Sequence, residues 1–358
     1  MLYYQKKKKI SENEISNIWQ NEFLPNWTIY RKYIIKKKNK KIDNSLNIES
    51  NNNNKEKILK IWSLGLPFWL RANMWKLVIV NELNITEVLF QGYIELVSKE
   101  REIYNVKNKQ NNSINCSYDA IDEYHNVIET ITKDCKKIMK RINNILNEIP
   151  NKLSFKNEVF KIIRSFCLYR PDIIYSKNIS EFAIFFYINC DLNEYDTFVM
   201  LCNFIITNYF FKHIQNDIFF MENQLKFFEK LIEKYLPSIH LHFKELQFNT
   251  NIFFYKWIEF LFLKTFNYKI CLRIFDNFII KGPIFIFEIS IATLYLLRKE
   301  ILNSDESGLV YLLKKDIINI NEEALFEYIN SLNIEKEYNE YYNIFNLGKE
   351  KGDLLQDL

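Results

Sequence analysis

Residues 121–147 read IDEYHNVIETITKDCKKIMKRINNILN. Ile121, Tyr124, Ile128, Ile131, Cys135, Ile138, Ile142 and Ile145 recur in steps of three and four. An α-helix turns once in 3.6 residues, so these side chains form one apolar stripe, and the segment is expected to be an amphipathic helix. Asp134, Lys137 and Arg141 fall within roughly 60° of one another beside that stripe, at ~100° per residue. A charged flank is ordinary on such a helix, and by itself it assigns no chemistry.

Similar patterns predict helices near 68–81, 86–103, 154–168, 178–189, 194–209, 217–235, 250–264, 268–280, 284–301 and 321–331. Pro67 stands near a helix start, where a missing N–H is tolerated, and Pro237 and Pro283 are expected between helices. No alternating strand pattern is sustained. The chain has 358 residues, 48% of them hydrophobic, but only six Gly and six Pro. An all-β protein of this size would need many more turn residues. The fold class expected is therefore all-α. Asn44–Lys57 and Asn105–Tyr118, rich in Asn and Lys, can bury little apolar surface and are expected to be loops. No internal repeat suggests a solenoid.

Charge is uneven. Residues 1–60 hold fourteen Lys/Arg against six Asp/Glu, or +8, which leaves −4 for the remainder of a chain with net charge +4. Lys6–Lys9 and Arg31–Lys41 carry most of the excess. A solvated arm is the favoured reading; peripheral contact with anionic lipid is the functional one. The basic patch is local and lacks a nucleic-acid-binding motif, so nucleic acid is not expected as a partner. Cys116, Cys135, Cys167, Cys190, Cys202 and Cys271 are dispersed without C-x-x-C spacing, which points to reduced thiols inside the cell. His240 and His242 lack companion ligands, so no metal site is expected. No run approaches the ~18 apolar residues of a membrane span, and the N-terminus lacks the apolar stretch of a signal peptide.

Several longer patterns go further. Residues 62–75 read WSLGLPFWLRANMW. Ile18-Trp19 and Leu24-Pro25-Asn26-Trp27 precede them, and Asn81–Thr86 follows. Ile131-Thr-Lys-Asp134-Cys-Lys-Lys137 comes next in order, then Tyr169-Arg-Pro171 with Ile174-Tyr175-Ser-Lys177. Leu272-Arg273-Ile-Phe275-Asp276 with Lys281-Gly282 closes the series, and Trp257 stands before it. In this order and spacing, over residues 18–302, the chain resembles TBC domains, which act on Rab small GTPases. The resemblance implies an all-α TBC (Rab-GAP) domain of two helical lobes. The domain would cover 56–305, with lobes about 56–190 and 191–305. A basic segment 1–55 with a partly helical lead-in would precede it, and a helical tail 306–358 would follow.

The resemblance also implies a mechanism. A TBC domain supplies an Arg that neutralises charge on the phosphates of a GTP-bound Rab GTPase, and a Gln that positions the attacking water. Here the Arg position is Lys137 and the Gln position is Lys177. Lys keeps a positive charge but loses the planar fork of Arg. A charged Lys has three donors and no acceptor, so it cannot orient water as an amide does. Asn178 and Arg141 are the neighbouring candidates to replace the missing groups. Asp134 and Tyr175 support the motifs; Arg71, Arg273 and Asp276, like Trp19, Trp27, Trp62, Trp75 and Trp257, are expected to hold the fold. The implied function is Rab binding and GTPase activation in vesicle traffic with weakened catalysis. The alternative is an inactive pseudo-GAP that serves as a GTPase-binding scaffold. Either is a cytoplasmic regulator, peripheral on endomembranes if the basic segment engages lipid. No cofactor is expected, because GTP and Mg²⁺ belong to the partner.

Overall fold

Ser11 opens the first helix with a capping box. Its Oγ accepts the Glu14 N–H, and the Glu14 carboxylate accepts the Ser11 N–H at 2.7 Å. This helix, α1 (Glu12–Ile18), runs on into a π-helical turn at Trp19–Phe23. The computed structural model describes residues 11–28, 30–31, 52–110, 119–147, 149, 151–206 and 208–342. Every regular element among them is helical and none is a strand, as composition and periodicity predict. They form two compact units: Met1–Val78 with Leu272–Gly282, and Ile79–Cys271 with Pro283–Leu358. This division follows a different line from lobes at 56–190 and 191–305, because residues 272–282 belong with the N-terminal segment rather than with their chain neighbours.

The first unit contains α2 (Asn52–Ser63) and most of α3 (Phe68–Ile79). It also contains the later part of a helix that spans Tyr268–Lys281. At its centre Asp276 is fully buried. Its carboxylate accepts the Leu66 N–H at 2.8 Å, the Trp75 indole N–H at 2.7 Å and the Arg71 Nε at 3.2 Å. Its carbonyl oxygen accepts the Trp62 indole N–H at 2.7 Å. Arg71 also donates from Nη2 to the Leu66 carbonyl at 2.5 Å. Burial pushes the Asp276 carboxyl up, against Arg71, Leu66 and Trp75, which stabilise its charged form. The turn between α2 and α3 brings Leu66 to this group through Gly65, whose φ of +103° a side chain would resist. Arg273 donates to the Ser63 carbonyl at 3.1 Å and packs beside Gly65. Trp19 and Trp62 meet edge to face with centroids 5.6 Å apart, both buried.

The second unit is built on α4 (Glu87–Gln110), α5 (Asp119–Arg141), α6 (Asn143–Leu146), α7 (Lys152–Tyr169), α8 (Lys177–Asn189) and α9 (Glu194–Ile205). It continues with α10 (Asn208–Ile214), α11 (Ile218–Tyr235), α12 (Pro237–Glu245), α13 (Asn251–Glu259) and the start of α14 (Tyr268–Lys281). The helices α15 (Ile284–Leu296), α16 (Arg298–Leu302), α17 (Glu306–Lys314) and α18 (Glu322–Ser331) complete it. Residues 178–187 of α8 are buried on every side, and apart from Asn178, Ser180, Glu181 and Tyr187 they are apolar, as befits a central helix. Helices α5, α7 and α9 pack around α8. Phe182, Phe186, Phe204 and Phe210 form an aromatic cluster beside it.

Several expected helices are divided. The 121–147 stripe breaks at Ile142, between α5 and α6. The 194–209 segment ends at Ile205 and resumes as α10; the 284–301 segment breaks at Leu297. The 250–264 segment stops at Glu259, because Leu261 and Phe262 take positive φ. Pro237 is the first residue of α12 rather than a spacer. Residues 52–57 and 105–110, expected as loop, are helical. Lys6–Lys9, most of Arg31–Lys41, residues 44–51 and residues 111–118 lie outside the described residues. Trp19, Trp62, Trp75 and Trp257 are buried as expected, whereas Trp27 is half-buried.

His213 of α10 is buried against Tyr209 and Phe220. Burial pulls its imidazole down to about 4. The sign is that of a base held neutral: the folded state binds a proton less readily than the unfolded state. Its contribution is therefore present above about pH 6.5 and lost as pH falls toward 4. The stability difference between the natural chain and His213→Gln should shrink by roughly 3 kcal/mol between pH 7.5 and 4, read by urea denaturation. Asp276→Asn should cost about 3–5 kcal/mol, because Arg71 is left buried without its counter-charge. Trp75→Phe, which removes a single donor, should cost about 1–3 kcal/mol in the same titration.

Candidate functional site

Two polar ties join α5 to the segment that opens α8. The Tyr175 hydroxyl donates to Asp134 Oδ2 at 3.2 Å and lies 2.6 Å from Ser180 Oγ. Burial pushes the Tyr175 phenol far up, so at neutral pH it is a fixed donor. One turn and more along, Arg141 donates from Nη1 and Nη2 to the two Glu181 oxygens at 2.9 and 2.5 Å. This bidentate fork holds both planes in register. Glu181 has a side-chain exposure of 1% against 20% for Arg141. Asp134 and Arg141 lie seven residues apart on one helix face, and Lys137 stands between them. Lys137 is exposed. It projects from a stretch of helix pinned on both sides.

Lys177 is the first residue of α8, after the N-cap Ser176, and is half-buried. Ser176 turns its hydroxyl to the Asn178 side-chain oxygen rather than to the helix backbone. Asn178 is 3% exposed. Its amide is thus not presented to solvent, and the water-orienting role that an Asn next to Lys177 suggests has no exposed group to perform it. Arg141 is likewise committed: to act as a free cation it would have to abandon a carboxylate that is itself buried.

Another cation joins the site. Lys264 follows α13 in the irregular stretch shaped by Leu261 and Phe262, and its ammonium lies 4.0 Å over the Phe260 ring. Burial pulls its pKa down, and the charge of Lys177 adds to the effect. In the sequence this residue falls at the end of the expected helix 250–264, where no pattern marks it as part of a site. Nearby, Lys256 donates to Asp316 at 2.8 Å and to the Lys314 carbonyl at 2.6 Å. Cys135 and Cys271, on α5 and α14, are buried thiols pushed up to about 12, and so are inert near neutrality. Arg71, Arg273 and Asp276 have their polar groups engaged within the unit of residues 1–78 and 272–282. They support the fold there.

Chemically, the α5–α8 surface offers positive charge from Lys137 and Lys177, with Lys264 electrostatically linked to Lys177. It offers no exposed amide at the Lys177 position. Such a surface can attract and hold a polyanion. It lacks the planar fork and the paired donor and acceptor that would orient a reacting water.

The family model of the Rab-GTPase-TBC domain matches residues 68–302. The chain is 23% identical over 328 residues to mouse TBC1 domain family member 12; the match covers 92% of this chain and 43% of that protein. It is 25% identical over 321 residues to Drainin of Dictyostelium discoideum, over 80% of this chain and 72% of that one. The chain therefore spans less than half the length of its mammalian relative. In fold it is similar to the Chlamydomonas flagellar RabGAP TBC domain, with a TM-score of 0.59 and 13% identity over 89% of this chain and 94% of the other.

The engagement of Arg141 has a measurable consequence. Arg141→Ala should cost about 3–5 kcal/mol, because Glu181 is left charged and buried. Replacing both members with Met should recover most of that loss in urea denaturation, since neither charge then remains to be solvated.

Proposed function

Because the chain belongs to the Rab-GTPase-TBC domain family, we propose that it binds GTP-loaded Rab-type GTPases through the surface that carries Lys137 and Lys177, and that its activation of GTP hydrolysis is weak. The observation that carries this reading is the pair of lysines at the two finger positions, each on a segment held by the Asp134–Tyr175 and Arg141–Glu181 ties. Lys137 supplies charge to the developing phosphate anion, without the fork of Arg. Lys177 supplies charge but no acceptor, so the partner's own glutamine must position the water. The chain is then a regulator of an enzyme rather than an enzyme, and it needs no cofactor of its own.

A second reading follows from the buried Asn178 and the engaged Arg141. With neither group available, acceleration falls to nothing and the chain is a pseudo-GAP that sequesters or scaffolds its GTPase. Both readings place the chain in vesicle traffic at the cytoplasmic face of endomembranes, and the basic segment 1–55 would add peripheral attraction to anionic lipid. No helix among the described residues is long and apolar enough to cross a membrane.

Single-turnover GTP hydrolysis with a panel of Rab proteins tests the proposal. An arginine finger is worth about 10³–10⁵ in rate. Lys137→Arg with Lys177→Gln should therefore raise the rate by at least ~10²-fold over the natural chain, while affinity for the GTP-loaded Rab changes little. Binding with no acceleration by the natural chain selects the scaffold. Robust acceleration that survives Lys137→Ala would overturn the assignment of the finger positions.

A further inference from the structure

A cavity of about 530 Å³ opens among α4, α5 and α7. Its centre lies to one side of the candidate GTPase surface, and its rim reaches Lys133, one helical turn before Lys137. Ile128 lines it, and Lys137 is nine residues on, which at ~100° per residue is the opposite side of the helix. Its volume falls within the ~300–1,000 Å³ typical of small-ligand sites.

The lining divides into two kinds of surface. Val97, Ile128 and Phe160 give an apolar floor; Ile128 and Phe160 are only half-buried. Arg101, Lys133, Lys156 and Arg164 give the positive charge, and Glu100 and Glu129 the negative. Two of these cations are already neutralised. Arg164 donates from Nε and Nη2 to Glu100 at 3.0 Å each, and Lys133 reaches Glu129 at 3.3 Å. Arg101 has a neutral partner, the Asn157 side-chain oxygen, at 3.3 Å. Lys156 is half-buried, and no carboxylate among the described residues lies within ion-pair distance of it. The cavity thus combines partly exposed apolar surface with two cations, on α4 and α7, that no carboxylate among the described residues satisfies.

We propose that this cavity binds a small anionic amphiphile, with its apolar body on Val97, Ile128 and Phe160 and its carboxylate or phosphate on Lys156 and Arg101. Apolar contact supplies affinity, and the charge pair fixes orientation. A ligand of either group alone would satisfy half of the site. Lys137 does not line the cavity, so occupancy does not require that side chain and does not depend on the function proposed for it.

Titration calorimetry on the full chain, below the micellar range, tests this. The probes are decanoate, decyl phosphate, decanol and inorganic phosphate. Decanoate and decyl phosphate should bind at one site, at least ten-fold more tightly than decanol or inorganic phosphate, and their ranking tells carboxylate from phosphate. Lys156→Glu should weaken binding at least ten-fold. Thr132→Trp, which fills the cavity from a half-exposed position, should abolish it. Lys137→Ala should leave it unchanged, with thermal melting confirming that each variant is folded. Equal binding of decanol, binding retained in Thr132→Trp, binding lost in Lys137→Ala, or no binding of either acid would each overturn the proposal. Selective binding of an acidic peptide with neither amphiphile would assign the cleft to a protein partner instead and overturn it as well.

Discussion

A buried carboxylate must be surrounded by donors, and Asp276 is the group around which the N-terminal unit is arranged. Its oxygens are shared by a backbone amide, an indole and a guanidinium, and its carbonyl takes a second indole. None of these donors is adjacent to it in the chain. Each of Trp62, Leu66, Arg71 and Trp75 is therefore placed by a common acceptor rather than by its own helix. The left-handed Gly65 is part of the same constraint, since the turn must deliver the Leu66 amide to a fixed point. An apolar cluster of equal size would tolerate sliding by a residue; a carboxylate with directional donors does not.

In the second unit, polar order serves a different end. Asp134–Tyr175 and Arg141–Glu181 fix two helical segments and leave exposed lysine at the position between them. The result is a surface rich in charge and poor in acceptors. Electrostatic attraction falls off slowly with distance and needs little geometry, so in the proposed function association would survive the loss of the planar fork. Water orientation depends on a donor and an acceptor within hydrogen-bond reach, so it does not survive the loss of an amide. On the function proposed above, the two lysines would separate recognition from chemistry.

The helical class was legible because the apolar stripe of 121–147 is unambiguous at period 3.6, and the burial of Trp19, Trp62, Trp75 and Trp257 followed from the motifs. Helix ends were less legible. Leu261 and Phe262 adopt positive φ, and neither residue advertises it as Gly or Asn would. The residues of one polar tie were legible as motif members, though not as a pair, and those of the other were hidden. Asp134 and Tyr175 stand inside recognisable patterns, whereas Arg141 and Glu181 lie 40 residues apart on separate helices with no local signal to pair them. Lys264 was hidden for the first reason: its position depends on an irregular turn. The anionic-ligand cavity was hidden for the second, since its walls come from three helices whose exposed residues look like ordinary solvated faces.

The discontinuity of the N-terminal unit also matters during synthesis. Trp62 and Asp276 are separated by 214 positions, and Arg71 and Asp276 by 205. Ribosomes add about 5–20 residues per second. Arg71 and the two indoles consequently wait on the order of ten seconds or more for their acceptor, while residues 79–271 emerge and begin to pack. During that interval Arg71, Trp62 and Trp75 lack the acceptor they share. The unit is thus begun before residues 79–271 and completed after them, and the interval is one in which a chaperone would find exposed aromatic surface to hold.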